Sequence, residues 1–287
     1  MFAIYKKELK NYFINMTGYI FIAFMLAITG IFTTMINLVS TYPSFEMVLS
    51  NITIVFLLIV PILTMRVIAE ERKQRTDQLL YSLPITTTQV IVGKYLALLV
   101  VYLIPLCVIC LYPLIFSQFG DVYLLTSYGA ILAFFVMGAA LIALGVFISS
   151  LTDNQGFAAG LGIAVILLNY YSVSLSEYIS STALGSVIVL CVLILLLGVL
   201  IEHLTKNENL ACVVTLILLA ALMGVYFLDS TKLVGLLPDV VSKLSLFKRF
   251  TDFVNGVFDM TAIVYYCTFA VFFLFLSVQS LEKRRYN

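Results

Sequence analysis

The sequence predicts an all-α integral membrane protein, a polytopic bundle of about eight transmembrane helices with both termini in the cytoplasm. Of its 287 residues, 62% are hydrophobic and only 11% are charged, whereas a soluble domain carries about 25% charged residues. The apolar residues form continuous runs, each near the roughly 20 residues that a helix needs to cross the bilayer. These runs do not alternate in polarity, which argues against membrane strands.

Eight runs are long enough to span the membrane. They are approximately Gly18–Val39, Asn51–Ala69, Lys94–Ser117, Ser127–Ser150, Phe157–Leu175, Thr182–Ile201, Leu210–Leu228 and Thr261–Leu281. Basic residues precede the first run, but it is too long for a signal peptide and is interpreted as a retained anchor. With the N-terminus inside, twelve of the 16 basic residues fall on the inside, as the positive-inside rule requires.

The segment Phe2–Asn15 precedes the first run. Tyr5, Leu9 and Tyr12 share one helical stripe, whereas Lys6 lies off it, and this pattern predicts an amphipathic helix on the cytoplasmic face. A docking element beside a partner and a plain membrane-surface anchor fit the pattern equally well.

The segment Glu70–Pro84 is a charged island between two apolar runs. The stretch Glu70–Tyr81 is compatible with a helix that Pro84 ends, and one of the threonines at 86–88 can cap the helix that follows. The segment is longer than the other internal connections and carries apolar residues among its charges. It is therefore interpreted as a binding surface rather than a solvated connector.

The stretch Asp229–Met260 is the longest external segment. Its apolar residues recur at helical spacing with charges between them, which predicts one or two amphipathic helices in or near the outer leaflet. A structural re-entrant segment is favoured over part of an exit path or lid.

Sequence motifs give no catalytic, cofactor-binding or metal site. The chain has no phosphate-binding glycine loop and no zinc-protease or serine-hydrolase motif. Cys107 and Cys110 have the spacing of a redox or metal pair, but two small apolar side chains on one helix face fit better. The predicted spans contain almost no charge, which disfavours ion coupling. Gly156 and Gly160 lie one turn apart and are predicted to pack helices, more readily within one subunit than between two.

The chain resembles the permease subunits of type-2 ABC exporters, in particular the gliding-motility-like branch. Three segments carry the resemblance: Tyr5–Phe13 before Thr17–Ile20; Ala69–Arg72 and Thr76–Leu80, followed by Leu83-Pro84 and Gly93–Tyr95; and Asn255–Asp259, leading to Val264–Tyr266 and Leu281–Arg285. Many members of the family have glycine where this chain has Arg75, and many have six spans, so that Thr182–Leu228 would hold an additional pair.

The resemblance implies a role for each segment. Phe2–Asn15 would be the connecting helix, Glu70–Pro84 a coupling helix that docks on a separate ATPase, and Asp229–Met260 short re-entrant helices. ATP and magnesium would bind the partner ATPase, and a second permease subunit, of the same or a sister chain, would complete a transporter in the bacterial cytoplasmic membrane. The residues predicted to contact the ATPase are Glu70, Glu71, Arg72, Arg75, Asp77, Leu79, Leu80 and Leu83.

The sequence thus predicts an exporter permease without catalytic activity of its own, in contact with membrane lipid and not with nucleic acid. A membrane scaffold or sensor that recruits a soluble partner is the alternative. The transported substrate is not predicted.

Overall fold

A computed structural model describes residues 1–76, 85–178, 182, 185–192, 194–195, 208–228 and 234–286. These residues form helices joined by short turns, with no strand among them. A helix satisfies all of its backbone groups internally, which the hydrocarbon core requires. The prediction of an all-α membrane protein is therefore confirmed.

The principal helices are numbered in chain order. They are α1 (Phe2–Ile14), α2 (Thr17–Val39), α3 (Glu46–Lys73), α4 (Thr87–Phe116), α5 (Leu124–Leu151), α6 (Gln155–Tyr170), α7 (Ser172–Tyr178), α8 (Glu208–Leu228), α9 (Leu236–Leu244), α10 (Leu246–Val254) and α11 (Met260–Tyr286).

Five of the described helices, α2 to α5 and α11, are apolar and long enough to cross a membrane, and α6 with α7 would make a sixth if the two form one broken span. Most of the predicted span Thr182–Ile201 lies outside the described residues. The span predicted at Leu210–Leu228 falls within α8. The count of eight spans and the orientation of the termini therefore stay predictions.

The chain divides into two compact units, Met1–Tyr170 with Leu246–Asn287, and Tyr171–Ser245. In the second unit, α7 packs against α9. In the first, α5 lies at the centre and contacts α3, α4, α6, α10 and α11. The described part of Asp229–Met260, from residue 234 on, contains two helices, α9 and α10, where the spacing of apolar residues predicts one or two. The external position of this stretch stays a prediction.

Close packing around α5 depends on small residues. Gly138 of α5 faces the buried ring of Tyr102 on α4, where an added Cβ would overlap the tyrosine hydroxyl. That hydroxyl donates a hydrogen bond to the Phe134 carbonyl at 2.8 Å. Gly145 faces the side chain of Thr64 on α3 in the same way. Such approaches let dispersion contacts stabilise the bundle where burial from water contributes little.

The helix predicted from Glu70 ends earlier than expected, at Lys73. The Thr76 amide donates to the Glu71 carbonyl at 2.9 Å and the Arg75 amide to the Arg72 carbonyl at 3.0 Å, the pair of bonds of a Schellman cap. Arg75 has a φ of 57°, in the left-handed region that favours glycine. A glycine would adopt this conformation without strain.

The start of α4 agrees with the sequence. The Thr86 hydroxyl accepts a hydrogen bond from the Gln89 amide at 3.3 Å and caps the helix, as one of the three threonines was predicted to do. The helix therefore begins two turns before Lys94, and Lys94 is the residue at which the apolar run begins. Lys94 is consequently enclosed by the bundle instead of marking its edge.

Candidate functional site at the charged end of the bundle

Charged side chains meet at one end of the first compact unit, here called the charged end. They come from α1, α3, α4, α11 and the turn after α5, and they are Glu8, Glu71, Arg72, Lys94, Asp153 and Arg284. Two of the residues predicted to contact an ATPase, Glu71 and Arg72, belong to this group. The end of α3 is thereby joined to four other parts of the fold.

Lys94 forms the first of two polar clusters. Its side chain is 2% exposed, and its ammonium nitrogen lies 2.9 Å from Glu71 Oε1, 3.2 Å from Glu8 Oε1 and 2.8 Å from the Val67 carbonyl oxygen. An ammonium group has three hydrogens to donate, and three acceptors are present. Lys7 lies 3.9 Å from Glu71 at the exposed side of the cluster. Lys94 thus ties α1, α3 and α4 together.

Arg72 forms the second cluster. Its guanidinium donates to the Ser150 carbonyl at the C-terminus of α5, and its Nη1 lies 3.8 Å from Asp153 Oδ1. Arg284 of α11 donates to Asp153 at 2.8 Å and to the Leu151 carbonyl at 3.0 Å. The last carbonyls of a helix carry partial negative charge and accept no hydrogen bond from an amide of the same helix. The two arginines therefore fix α3 and α11 to the end of α5.

A single serine bridges a break in α3. The helix is interrupted at residues 65–68, and the Ser149 hydroxyl of α5 accepts from the Ile68 and Ala69 amides at 3.1 and 3.2 Å while donating to the Met65 carbonyl at 3.2 Å. The Lys94 ammonium group donates a hydrogen bond to a further carbonyl of the break, that of Val67. The backbone groups that the interruption frees are thus satisfied by side chains of α4 and α5, which makes the break a stable feature.

The predicted connecting helix packs onto this site. Gly93 of α4 lies against Ile4, with 3.3 Å from an ideal Cβ to the isoleucine side chain, and the Tyr12 hydroxyl lies 3.4 Å from the Leu63 carbonyl. Burial raises the pKa of Tyr12 above its ordinary value, and Glu8 adds to this shift. Lys6 is exposed on the opposite side of the helix.

The other predicted contact residues divide into two groups. Glu70 is half-buried and Arg75 is exposed, so both are accessible at the end of α3. Asp77, Leu79, Leu80 and Leu83 lie outside the described residues. The assignment of these residues to an ATPase contact stays a prediction.

Gly156 and Gly160 have open space beside them within the described chain. A Cβ at Gly160 would meet no heavy atom within 4 Å, and one at Gly156 only the side chain of Asn154, at 3.4 Å. Gly162, on another face of α6, instead lies against Pro61 of α3, and a Cβ added at Gly162 would be 3.1 Å from the proline Cβ. The packing surface within this subunit is therefore at Gly162, and a packing role for the other pair needs a neighbour beyond the described residues.

Sequence reasoning missed the central position of Lys94 and the role of Ser149. A lysine at the start of an apolar run looks like an interfacial residue, and a serine inside such a run is unremarkable. One signal for Lys94 was available, namely the acidic Glu8 on a predicted amphipathic helix. No pattern in the sequence pairs these two residues with Glu71.

The fold and the charged end define a multi-pass membrane protein in which polar side chains bind the end of α3 to the neighbouring helices. A family model described as ABC-2 family transporter protein matches residues 4–174, more than half of the 287 residues. The chain therefore belongs to the ABC-2 transporter family, as a membrane permease component. No curated protein and no solved structure gave a significant match.

Proposed function

We propose that the chain is the permease subunit of an ABC exporter of the gliding-motility-like branch, energised by a separate ATPase that docks on Glu70–Pro84. The observation that carries this proposal is the pair of polar clusters at the charged end. A force applied to the segment after α3 reaches α1 and α4 through Lys94, and α5 and α11 through Arg72. The arrangement suits a lever between a soluble motor and the bundle.

The proposed orientation has the charged end and both termini in the cytoplasm of a bacterial cell, with the chain in the cytoplasmic membrane. The excess of basic residues at this end supports the orientation. ATP and magnesium bind to the ATPase in this proposal, and the permease supplies the substrate path.

A second permease subunit, identical or homologous, completes the transporter in this proposal. The face of α6 that carries Gly156 and Gly160 supports it, since this face is open in the described chain and small residues permit close helix approach.

This proposal assigns docking and transmission to different residues. The accessible Glu70 and Arg75 belong to the docking surface, whereas Glu71 and Arg72 are bound within the chain and transmit the motion. Charge reversal at the two accessible residues should weaken ATPase binding. Replacement of Glu71 by glutamine should leave binding intact and reduce substrate-stimulated ATP hydrolysis.

The test is a pull-down of the cognate ATPase, together with its ATPase activity in the reconstituted complex. Lys283→Glu is the matched control, because Lys283 is an exposed charge that belongs to α11 and not to the docking segment. Undiminished binding and activity in Glu70→Lys with Arg75→Glu would refute the docking assignment. Binding without any ATP-dependent transport would point instead to the scaffold function.

A further inference from the structure

Two adjoining cavities in the first compact unit have opposite character. One is an apolar groove of about 360 Å³ between α2 and α3, and the other is a polar cleft of about 490 Å³ that α1 shares with the end of α3. Three residues, Tyr12, Thr17 and Arg66, line both. The two cavities therefore border each other at these three residues, and together they offer an apolar part and a polar part.

The apolar part opens along the sides of two membrane-length helices. Ile20 and Phe24 of α2 and Leu58 and Ile62 of α3 line it, and each is more than 40% exposed. Leu58 and Ile62 lie four residues apart, which aligns them on one side of α3. Arg66 follows in the break of the helix at residues 65–68 and lines the same groove.

Arg66 is the charged residue at the junction. Its side chain is exposed and makes no hydrogen bond or ion pair with any described residue, whereas Lys94 in the same cleft is bound by two carboxylates. Asn11 and Asn15 also line this cleft, as does Glu70. The junction thus offers an arginine and neutral donors to an anion, directly at the end of an apolar groove.

A second copy of the chain is a poorer occupant. The described acidic residues of the charged end are already bound within the chain: Glu8, Glu70, Glu71, Asp153 and Glu282. A carboxylate of the charged end in a second copy would therefore have to be shared between its present partner and Arg66. An anionic phospholipid matches the site in both charge and polarity, because its phosphate can accept two hydrogen bonds from a guanidinium while an acyl chain follows the groove.

We propose that this site binds one anionic phospholipid, with its phosphate at Arg66 and an acyl chain along Leu58 and Ile62. The proposal does not depend on an ATPase partner. The lipid covers the open side of α2 and α3 and fixes α1 to the membrane surface, next to the Lys94 cluster.

The test uses the full chain, purified in detergent and observed by native mass spectrometry with phosphatidylglycerol or diacylglycerol, which lacks the phosphate. The wild type should retain phosphatidylglycerol at least about tenfold better than diacylglycerol, the effect of one charge-assisted contact. Arg66→Gln should abolish this preference. Lys10→Gln, which removes an exposed cation of α1 outside the cleft, should keep it, and Ile62→Trp should weaken retention of both lipids by filling the groove.

Further measurements distinguish a bound lipid from other occupants of the site. Displacement of phosphatidylglycerol by millimolar inorganic phosphate would assign the site to free phosphate and overturn the proposal. Equal retention of both lipids by the wild type, or unchanged retention by Arg66→Gln, would overturn it as well. So would photocrosslinking from position 62 to a second chain in place of lipid. Because Arg66 is exposed and unbonded within the described chain, the variant should keep the wild-type elution profile and melting temperature.

Discussion

Replacement of Lys94 by methionine tests the central cluster most directly. Methionine has a similar length and fits an apolar site, but it cannot donate to Glu8, Glu71 or the Val67 carbonyl. The substitution leaves two carboxylates beside each other in a largely enclosed space, with only the exposed Lys7 nearby, 3.9 Å from Glu71. The structure therefore predicts a loss of stability that comes from the groups left behind.

The magnitude follows from the geometry. Removal of one partner from a buried ion pair lowers the free energy of unfolding by about 3–5 kcal/mol, because an uncompensated charge remains. Lys94 is 2% exposed and Glu8 is 11% exposed, so solvent screens this pair little. The triple variant Lys94→Met, Glu8→Gln, Glu71→Gln removes the charges together and should recover more than about half of the loss, since neutral groups are cheaper to leave buried.

The assay is reversible unfolding in mixed detergent micelles, followed by circular dichroism. Lys73→Met serves as the control, because Lys73 is an exposed lysine at the end of α3 and should change stability by no more than about 0.5 kcal/mol. A loss below about 1 kcal/mol for Lys94→Met would contradict the reasoning. A triple variant no more stable than the single variant would show that the carboxylates are not the source of the loss.

Three further substitutions test single features of the fold by the same unfolding measurement. Ser149→Ala should lower the free energy of unfolding by about 1–3 kcal/mol because it removes the acceptor of two amides at the break in α3. The control Ser150→Ala keeps the backbone carbonyl that binds Arg72 and should lower the free energy of unfolding less. Equal losses in the two variants would contradict the bridging role of Ser149. Arg75→Gly should raise the free energy of unfolding by up to about 1 kcal/mol. Glycine removes the steric strain of the left-handed backbone at position 75, and this gain outweighs the added freedom of glycine in the unfolded chain. A decrease in stability would argue against this backbone conformation. Gly138→Ala should lower the free energy of unfolding by about 1–3 kcal/mol through overlap with a buried tyrosine of α4. Gly160→Ala, at an open position, should not lower it. Similar effects at both glycines would refute the difference in packing.

Much of the architecture followed from simple patterns. The apolar runs predicted the membrane-length helices because hydrocarbon requires about 20 consecutive apolar residues per crossing. The amphipathic stripe of α1 and the cap at Thr86 depend on residues within a few positions of each other, so both can be read locally. The early end of the helix at Lys73 could not be predicted locally, because no glycine marks the left-handed position that Arg75 occupies.

The site itself required long-range information. The group around Lys94 joins residues 8, 71 and 94, and the Ser149 bridge joins positions about 80 residues apart. Without homologous sequences, nothing in one chain pairs such residues. Glu71 and Arg72 were therefore predicted as part of a docking surface, whereas the structure shows both bound within the chain.

The sequence by itself determined that this chain crosses the membrane several times and carries one charged segment between apolar runs, because both properties depend on the solubility of contiguous residues. Only the tertiary structure decided which charges face outward and which hold the helices together. That distinction depends on distances between side chains far apart in sequence, and these distances are set by how the helices pack.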